Sequence, residues 1–368
     1  MRRRHAFIAG AGSALASAAL AAPALAAPAL AQTAPAIRWR MTSSFTRTLD
    51  ITYGAGEYFC RQVAALTDGQ FQISQFPAGE IVGGFQALDA VQGGSVEAAY
   101  SGLLFNVGKD PTFALAAATP FMMNPRQQHA WMYHAGGNAM LNDFLKTYGM
   151  VAFPCGQTGN QWGGWFRNEI RSVDQLSGLK MRVAGLAGTV MQKVGVVPQQ
   201  IPPGDIYPAL ERGVIDAVEY IGPYDDEKLG LNRVAKNYCY PGWGEGGTVF
   251  HAVFNGAKWA ELPARYKAAV ETAAQATTLN MMAEYDAKNP EALRRLVASG
   301  ITLRAFPNEV VEALYRASVE LYGEISARNP AFKAIYESQV AFRDLNYQYH
   351  QVADFQFDAM MLRLRRRS

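Results

Sequence analysis

Residues 178–226 read GLKMRVAGLAGTVMQKVGVVPQQIPPGDIYPALERGVIDAVEYIGPYDD, and this stretch decides the fold. Leu179, Met181 and Val183 alternate with Lys180 and Arg182, the two-residue period of a strand. Arg182 falls near the carboxyl end of that strand, with Gly185 and Gly188 beyond it. Val190 and Val194, four apart, predict a short helix from about Gly188. A second helix centres on Ile206 and Leu210; Pro208 is tolerable there only in the first turn, and Gly213 stops it. Ile215 to Val218 form another strand, which runs straight into Glu219, Tyr220 and the polar run Pro223 to Asp226. Strand, helix, helix, strand, with polar groups at both strand ends, is the edge of an α/β sheet where ligands bind.

Outside that stretch, length and composition set bounds. A chain of 368 residues, 49% hydrophobic and 18% charged, is long enough for two cores and suits a globular protein. Residues 1–31 differ from the rest. Arg2 to Arg4 precede an Ala/Gly/Leu-rich run ending Ala29-Leu30-Ala31, the pattern of a secretory signal peptide rather than a membrane span. The paired arginines and Phe7-Ile8 resemble a twin-arginine signal. Removing this segment takes away three arginines and no acids, so the formal charge falls from +3 to 0. With only the tail Arg363 to Arg367 left strongly basic, nucleic-acid binding has little support. Cys60, Cys155 and Cys239 allow at most one internal disulfide. Cys155 and Cys239 flank the central stretch and could pair, but buried packing is the better reading of isolated cysteines.

On the amino-terminal side, residues 37–42, 71–73 and 96–101 read as strands, with helices over 49–66 and 83–91 between them. That is βαβαβ, the unit of a wound parallel sheet. Residues 120–150 read as helical and aromatic, and a strand at 151–154 leads into the central stretch. Tyr238 to Gly247 reads as a Gly/Pro/aromatic loop, and Val249 to Asn255 as a strand returning to the first lobe. A long amphipathic helix over 263–299 is interrupted near Pro290, a short strand covers 301–304, and helices fill the remainder. The expected architecture is α/β with two lobes and an interlobe cleft. Residues 32–154 with about 249–305 make the first lobe, 155–248 the second, and 306–368 form helices packed on both.

Four motifs carry a family resemblance over nearly the whole mature chain: GNQWGGWFRNEI (159–170), GLKMRVAG (178–185), GVVPQQIPPGDIYPALERGVIDAVEYIGPYDDEKLG (195–230) and YPGWGEGG (240–247). The chain resembles the solute receptors of tripartite ATP-independent periplasmic (TRAP) transporters, in the branch that binds 2-oxo acids and related small carboxylates. The resemblance implies a hinge-closing, two-lobed periplasmic binding protein that delivers a small organic acid to a membrane permease. Arg182 matches the arginine that grips the substrate carboxylate; its planar fork makes two hydrogen bonds and keeps its charge. Taken alone, a strand-end arginine reads more readily as half of a surface ion pair. Gln161 matches a cleft glutamine that serves both substrate and cation. Glu219 and Glu245 fall where the branch places acids around a cation, and Tyr220 stands where the family carries tryptophan, contributing through its backbone carbonyl or its ring.

Two glutamates and a substrate carboxylate around one arginine leave excess negative charge, which a cation or a proton must meet in a closed cleft. Carboxylate and amide oxygens suit a hard ion, Na⁺ or Ca²⁺; the other reading leaves one glutamate solvated at the rim. Tyr100, at the end of a first-lobe strand, is expected to donate its hydroxyl from the opposite wall or to pack as a structural tyrosine. Trp162, Trp165 and Trp243 read as packing residues, and Asp225 and Asp226 as turn or cap residues. A secreted hydrolase or lyase is the rival class, yet among five histidines there is no HExxH, and no G-x-S-x-G occurs. A receptor for an ATP-driven importer or a sensor kinase would look the same in this chain. The aromatic carboxyl-terminal helices, with Tyr347, Tyr349, Phe355 and Phe357, fit packing across both lobes or a homodimer formed by helix exchange.

Overall fold

A computed structural model describes residues 35–365; the expected signal peptide lies outside them. Two sheets organise the chain. The first contains β1 (Ile37–Ser43), β2 (Phe71–Phe76), β3 (Ala98–Ser101), β4 (Met150–Gln157) and β10 (Val249–Asn255). The second contains β5 (Gly164–Phe166), β6 (Lys180–Arg182), β7 (Val197–Gln199), β8 (Ala217–Val218), β9 (Asn237–Tyr240) and β11 (Thr302–Ala305). Helix α1 (Asp50–Leu66) joins β1 to β2 and α2 (Ala87–Gln92) leads into β3; α3 (Thr112–Leu115), α4 (Pro125–His134) and α5 (Gly137–Lys146) precede β4. Around the second sheet run α6 (Gly185–Lys193), α7 (Ile206–Glu211), α8 (Pro223–Leu229) and α9 (Leu231–Val234). Helices α10 (Gly256–Glu261) and α11 (Ala264–Ala298) link β10 to β11, and α12 (Asn308–Arg328), α13 (Pro330–Val352) and α14 (Asp354–Arg365) follow.

The expected βαβαβ unit is present: β1 pairs parallel with β2 and with β3. The sheet is nevertheless mixed, in the order β2-β1-β3-β10-β4, because β10 returns antiparallel between β3 and β4. In the second sheet the order is β11-β9-β5-β8-β6-β7. Strand β11 pairs parallel with β9, so residues 302–305 belong to the second sheet and not to the first lobe expected over 249–305. The boundary expected at residue 154 also falls inside a strand, since β4 continues to Gln157. The chain therefore passes between the sheets three times: through residues 158–163, through 241–248, and through α10 and α11.

Two local expectations fail for physical reasons. Residues 238–240, read as loop, belong to strand β9 because β5 and β11 pair with both of its edges; the loop begins at Pro241. Helix α11 is continuous for 35 residues through Pro290. A proline inside a helix costs roughly 3 kcal/mol, which packing of α11 against α1, β4 and α8 offsets. All three cysteines are free and buried, in line with the packing reading.

Trp165 stacks on Tyr238 with centroids 3.9 Å apart, and Trp162 stacks on the same ring at 4.4 Å. Beneath this stack Asp226 accepts from Trp165 Nε1 at 2.8 Å and from Tyr238 Oη at 2.7 Å. Its neighbour Asp225 accepts from Tyr285 Oη of α11. These aspartates, in the first turn of α8, are buried anchors tying it to the second sheet and to α11, and Asp226 also accepts from Ile221 N at 3.5 Å as a turn residue would. Burial, opposed by those donors, lifts Asp225 to about 7 and Asp226 to about 6. A carboxyl whose folded value lies above its unfolded one favours folding most below the unfolded value, and that advantage fades as pH rises through the folded value. Asp225→Asn, which cannot ionise, is therefore expected to gain stability relative to the wild type between pH 5 and pH 8; chemical denaturation at both pH values measures the difference.

Candidate functional site

Arg182 ends β6, whose alternation buries Met181 and leaves Lys180 exposed. Beside it in the sheet β8 ends at Val218, so Glu219 and Tyr220 leave the sheet next to the guanidinium. Arg182 Nη1 donates to Glu219 O and lies 3.6 Å from Glu219 Oε2. Nε donates to Ile201 O at 3.3 Å, and the guanidinium carbon stands 5.4 Å from the centroid of the Tyr220 ring. These bonds engage Nε and Nη1 and not Nη2. Arg182 is 2% exposed, which removes the surface ion pair as a reading.

The two amino-terminal crossings bring the other polar groups. Gln161 from residues 158–163 and Glu245 from residues 241–248 meet at Thr248. Gln161 Nε2 donates to Thr248 Oγ1 at 2.8 Å, and Thr248 Oγ1 donates to Glu245 Oε2. Arg182, Gln161, Glu219, Tyr220 and Glu245 all line one void of about 280 Å³. The opposite side is apolar: Phe45 follows β1, Leu104 and Phe105 follow β3, and Phe250 lies on β10. Sequence reasoning did not single out these four or Thr248; the signal available was their position at or beside strand ends of the first sheet. The walls touch around the void. Gln200 Nε2 donates to Phe105 O at 3.2 Å, and Tyr224 Oη donates to Asp50 Oδ2 at 2.8 Å. Gly185 has φ +62°, and a Cβ there would stand 3.0 Å from Leu104 Cδ1.

Tyr100 is not in this wall. Alternation along β3 turns its ring to the helical side of the sheet, where Oη donates to Met281 Sδ at 3.6 Å. It supports the site from behind, 6.0 Å from the Phe45 ring and 6.2 Å from Phe250. Trp162, Trp165 and Trp243 also lie outside the void's lining. A larger cavity on the far side of Gln161 is bounded by Phe121, Trp243, Tyr315 and Tyr347. Its cationic residue, Arg343, is already engaged by Phe121 O and Asp344, so that cavity lacks the convergence of charge found at Arg182.

Electrostatically the void is strained toward excess negative charge. Burial raises Glu219 well above the usual carboxylate range, and Glu245 pushes it further against the pull of Arg182. Burial also lifts Glu245, to about 7, opposed by its bond from Thr248 and by Arg182. Glu219 Oε1 and Gln161 Oε1 are buried without hydrogen-bond partners. Two unmatched oxygens beside a second carboxylate form an oxygen-only donor set, which fits a hard cation. Among the described residues no group of three or more His, Cys, Asp or Glu is placed to hold a metal, so any ion here draws on amide or backbone oxygen as well.

A mixed α/β chain of two sheets, enclosing a small void with a buried arginine between them, defines a periplasmic-type solute receptor. The chain belongs to the bacterial extracellular solute-binding protein family 7 (DctP), whose family model matches residues 42–329. Its relatives are solute receptors rather than enzymes. It is 44% identical over 324 residues to a monocarboxylate 2-oxoacid-binding periplasmic protein of Nostoc sp., spanning 88% of this chain and 89% of that one. A TRAP transporter solute-binding protein from Bordetella bronchiseptica superposes with TM-score 0.89 at 45% identity, over 90% of this chain and 99% of that one. That structure is a mixed-occupancy dimer with copurified calcium and picolinate in one active site. A TRAP periplasmic solute-binding protein from Pseudoalteromonas atlantica, with bound sodium and pyruvate, superposes with TM-score 0.84 at 31% identity over 87% and 98% of the two chains.

Proposed function

We propose that this chain is the exported receptor of a TRAP transporter and that it captures a small 2-oxo acid such as pyruvate, or a related hydroxy acid, together with a cation. The observation that carries the reading is the convergence of Arg182, Gln161, Glu219, Tyr220 and Glu245 on one enclosed void. Arg182 Nη2, not engaged by the protein's own bonds, points the assignment of the substrate carboxylate to this guanidinium. Gln161, Glu219 and Glu245, with the backbone or ring of Tyr220, are the groups that would hold Na⁺ or Ca²⁺. When bound, the cation supplies positive charge that balances the glutamates and the ligand. Phe45, Leu104, Phe105 and Phe250 then limit the ligand's tail to a short apolar one, since these four side chains line the void opposite Arg182.

Lobes built on the two sheets would open and close about the crossings at 158–163 and 241–248, and the closed form would be presented to a membrane permease. No histidine, cysteine or lysine lines the void, which supports binding without turnover. The charged-then-apolar run over residues 1–31 supports export and removal of a signal peptide. No helix among the described residues is long and apolar enough to cross a membrane. Tyr349, Phe355, Phe357, Leu362 and Leu364 are all more than half exposed on α13 and α14. That row of apolar side chains supports a homodimer through the carboxyl-terminal helices.

Three outcomes are expected. Calorimetry of pyruvate against the mature protein shows binding in Ca²⁺ or Na⁺, and Arg182→Gln weakens it at least a hundredfold, about 3 kcal/mol for a buried charged hydrogen bond; no binding to the wild type under either ion overturns the oxo-acid assignment. Because Glu245 titrates at about 7 and a cation needs the ionised form, Ca²⁺ binding releases protons and strengthens as pH rises from 6 to 8. Titrations in buffers of different ionisation enthalpy read that release, and Glu245→Gln reduces it to the part contributed by Glu219. Deleting residues 354–368 converts a dimer to a monomer in light scattering, with ligand binding retained.

A further inference from the structure

Two buried glutamines outside the void are bonded to the backbone that carries the site. Gln128, on α4, donates from Nε2 to Gly247 O at 2.9 Å and to Ala117 O at 3.3 Å. Its Oε1 accepts from Gln157 Nε2 at 2.9 Å, and Gln157 Oε1 accepts from Gly159 N at 3.3 Å. Gln157 is the last residue of β4, directly before the crossing that carries Gln161. Gly247 lies in the crossing that carries Glu245. The two crossings are laced together near this pair. Thr158 N donates to Thr248 O at 3.1 Å, Thr248 N donates to Thr158 Oγ1 at 2.9 Å, and Gly242 N donates to Gln161 O at 3.1 Å.

There is no slack at this junction. Gly247 has φ +154°, and a Cβ there would stand 2.7 Å from Pro125 Cγ and 2.8 Å from Gln157 Oε1. Helix α4, which supplies Gln128, is itself fixed at its start. Asn124 accepts from Gln127 N at 2.9 Å while Gln127 Oε1 accepts from Asn124 N at 3.0 Å, with Pro125 in the first position. An amide is the side chain that donates at one atom and accepts at another. Placed back to back, two of them carry an unbroken donor-to-acceptor path from Gly159 N to Gly247 O. A carboxylate or a thioether at either position breaks a link.

We propose that Gln128 and Gln157 are positioning residues: their amide pair sets the spacing of the two crossings, and through it brings Gln161 and Glu245 to bear on the same cation and ligand. The inference rests on the site roles given above for Gln161 and Glu245. Neither glutamine touches the void, so each acts through the segment it holds. Groups in that outer position commonly change metal affinity about 10- to 100-fold when removed.

The test uses the mature chain with Gln128→Met and Gln157→Met, which keep length and volume while deleting the amide. Phe332→Leu, on the buried face of α13, serves as a control for stability loss. Ca²⁺ is titrated at fixed pyruvate, pyruvate at fixed Ca²⁺, and amide exchange is followed in peptides covering 158–163 and 241–248. The expected result is at least a tenfold rise in the Ca²⁺ midpoint for both glutamine variants, with faster exchange in those two segments and an unchanged midpoint for Phe332→Leu. Midpoints equal to wild type, or shifted no more than the control's, overturn the proposal. Should a methionine variant fail to fold, Gln128→Leu removes both the donor to Gly247 O and the acceptor for Gln157 Nε2 without adding charge, and the same criteria apply. If the wild type itself binds no pyruvate, the receptor reading fails separately; unchanged exchange in the two crossings of Gln128→Met would then still sink the clamp.

Discussion

The burial of one guanidinium between two carboxylates governs this molecule. Arg182 sits at a strand end, 2% exposed, with Glu219 beside it and Glu245 within electrostatic reach. Burial raises both carboxyls above their ordinary range, and the one guanidinium offsets only part of that rise. In a rigid core such a cluster would be a defect. Between two sheets it becomes a site whose protonation is exchangeable for something else, and the unpartnered Oε1 atoms of Glu219 and Gln161 mark where.

The scaffold holds that cluster by dividing the work. The second sheet supplies Arg182, Glu219 and Tyr220 from the ends of β6 and β8. The crossings supply Gln161 and Glu245, and the first sheet supplies an apolar lid of Phe45, Leu104, Phe105 and Phe250. Stability is concentrated elsewhere, in the Trp162–Tyr238–Trp165 stack, the Asp226 anchor and the long helix α11. The Asp226 anchor reaches the cleft through Ile221, whose backbone N donates to it and which itself lines the void.

Much of this was legible in the sequence because periodicity reports faces. The alternation around Arg182 placed it at a strand end, and Ile215 to Val218 placed Glu219 beside it. Alternation tells which residues share a face, not which face meets the cleft, so it left Tyr100 open between cleft and packing; its ring turns toward Met281. Strand β11 was assigned to the wrong sheet because pairing is a long-range choice that four residues do not encode. Pro290 suggested a break that tertiary packing overrides. Family resemblance, more than composition or spacing, marked Gln161 and Glu245: each lies in a loop whose partner is 80 or so residues away, and only the fold brings them to Thr248.

Charge counting carries the proposed reading one step further. With both glutamates ionised the site holds one positive and two negative charges, and a monocarboxylate adds a third negative one. A divalent cation would bring that set to neutrality. A monovalent one would leave a single negative charge, which a proton on Glu219 can cancel, since its own pKa already lies well above the ordinary carboxylate range. Both ions are then compatible with the same residues, and the difference between them is one proton. Ligand and cation must also strengthen each other's binding by the same factor, because each offsets charge that the other would otherwise face alone beside buried carboxylates. An acid with a second carboxylate would need one proton more than a monocarboxylate with either ion, and the apolar wall opposite Arg182 offers that second carboxylate no partner. On the proposed reading, a preference for short monocarboxylates rests on that missing partner.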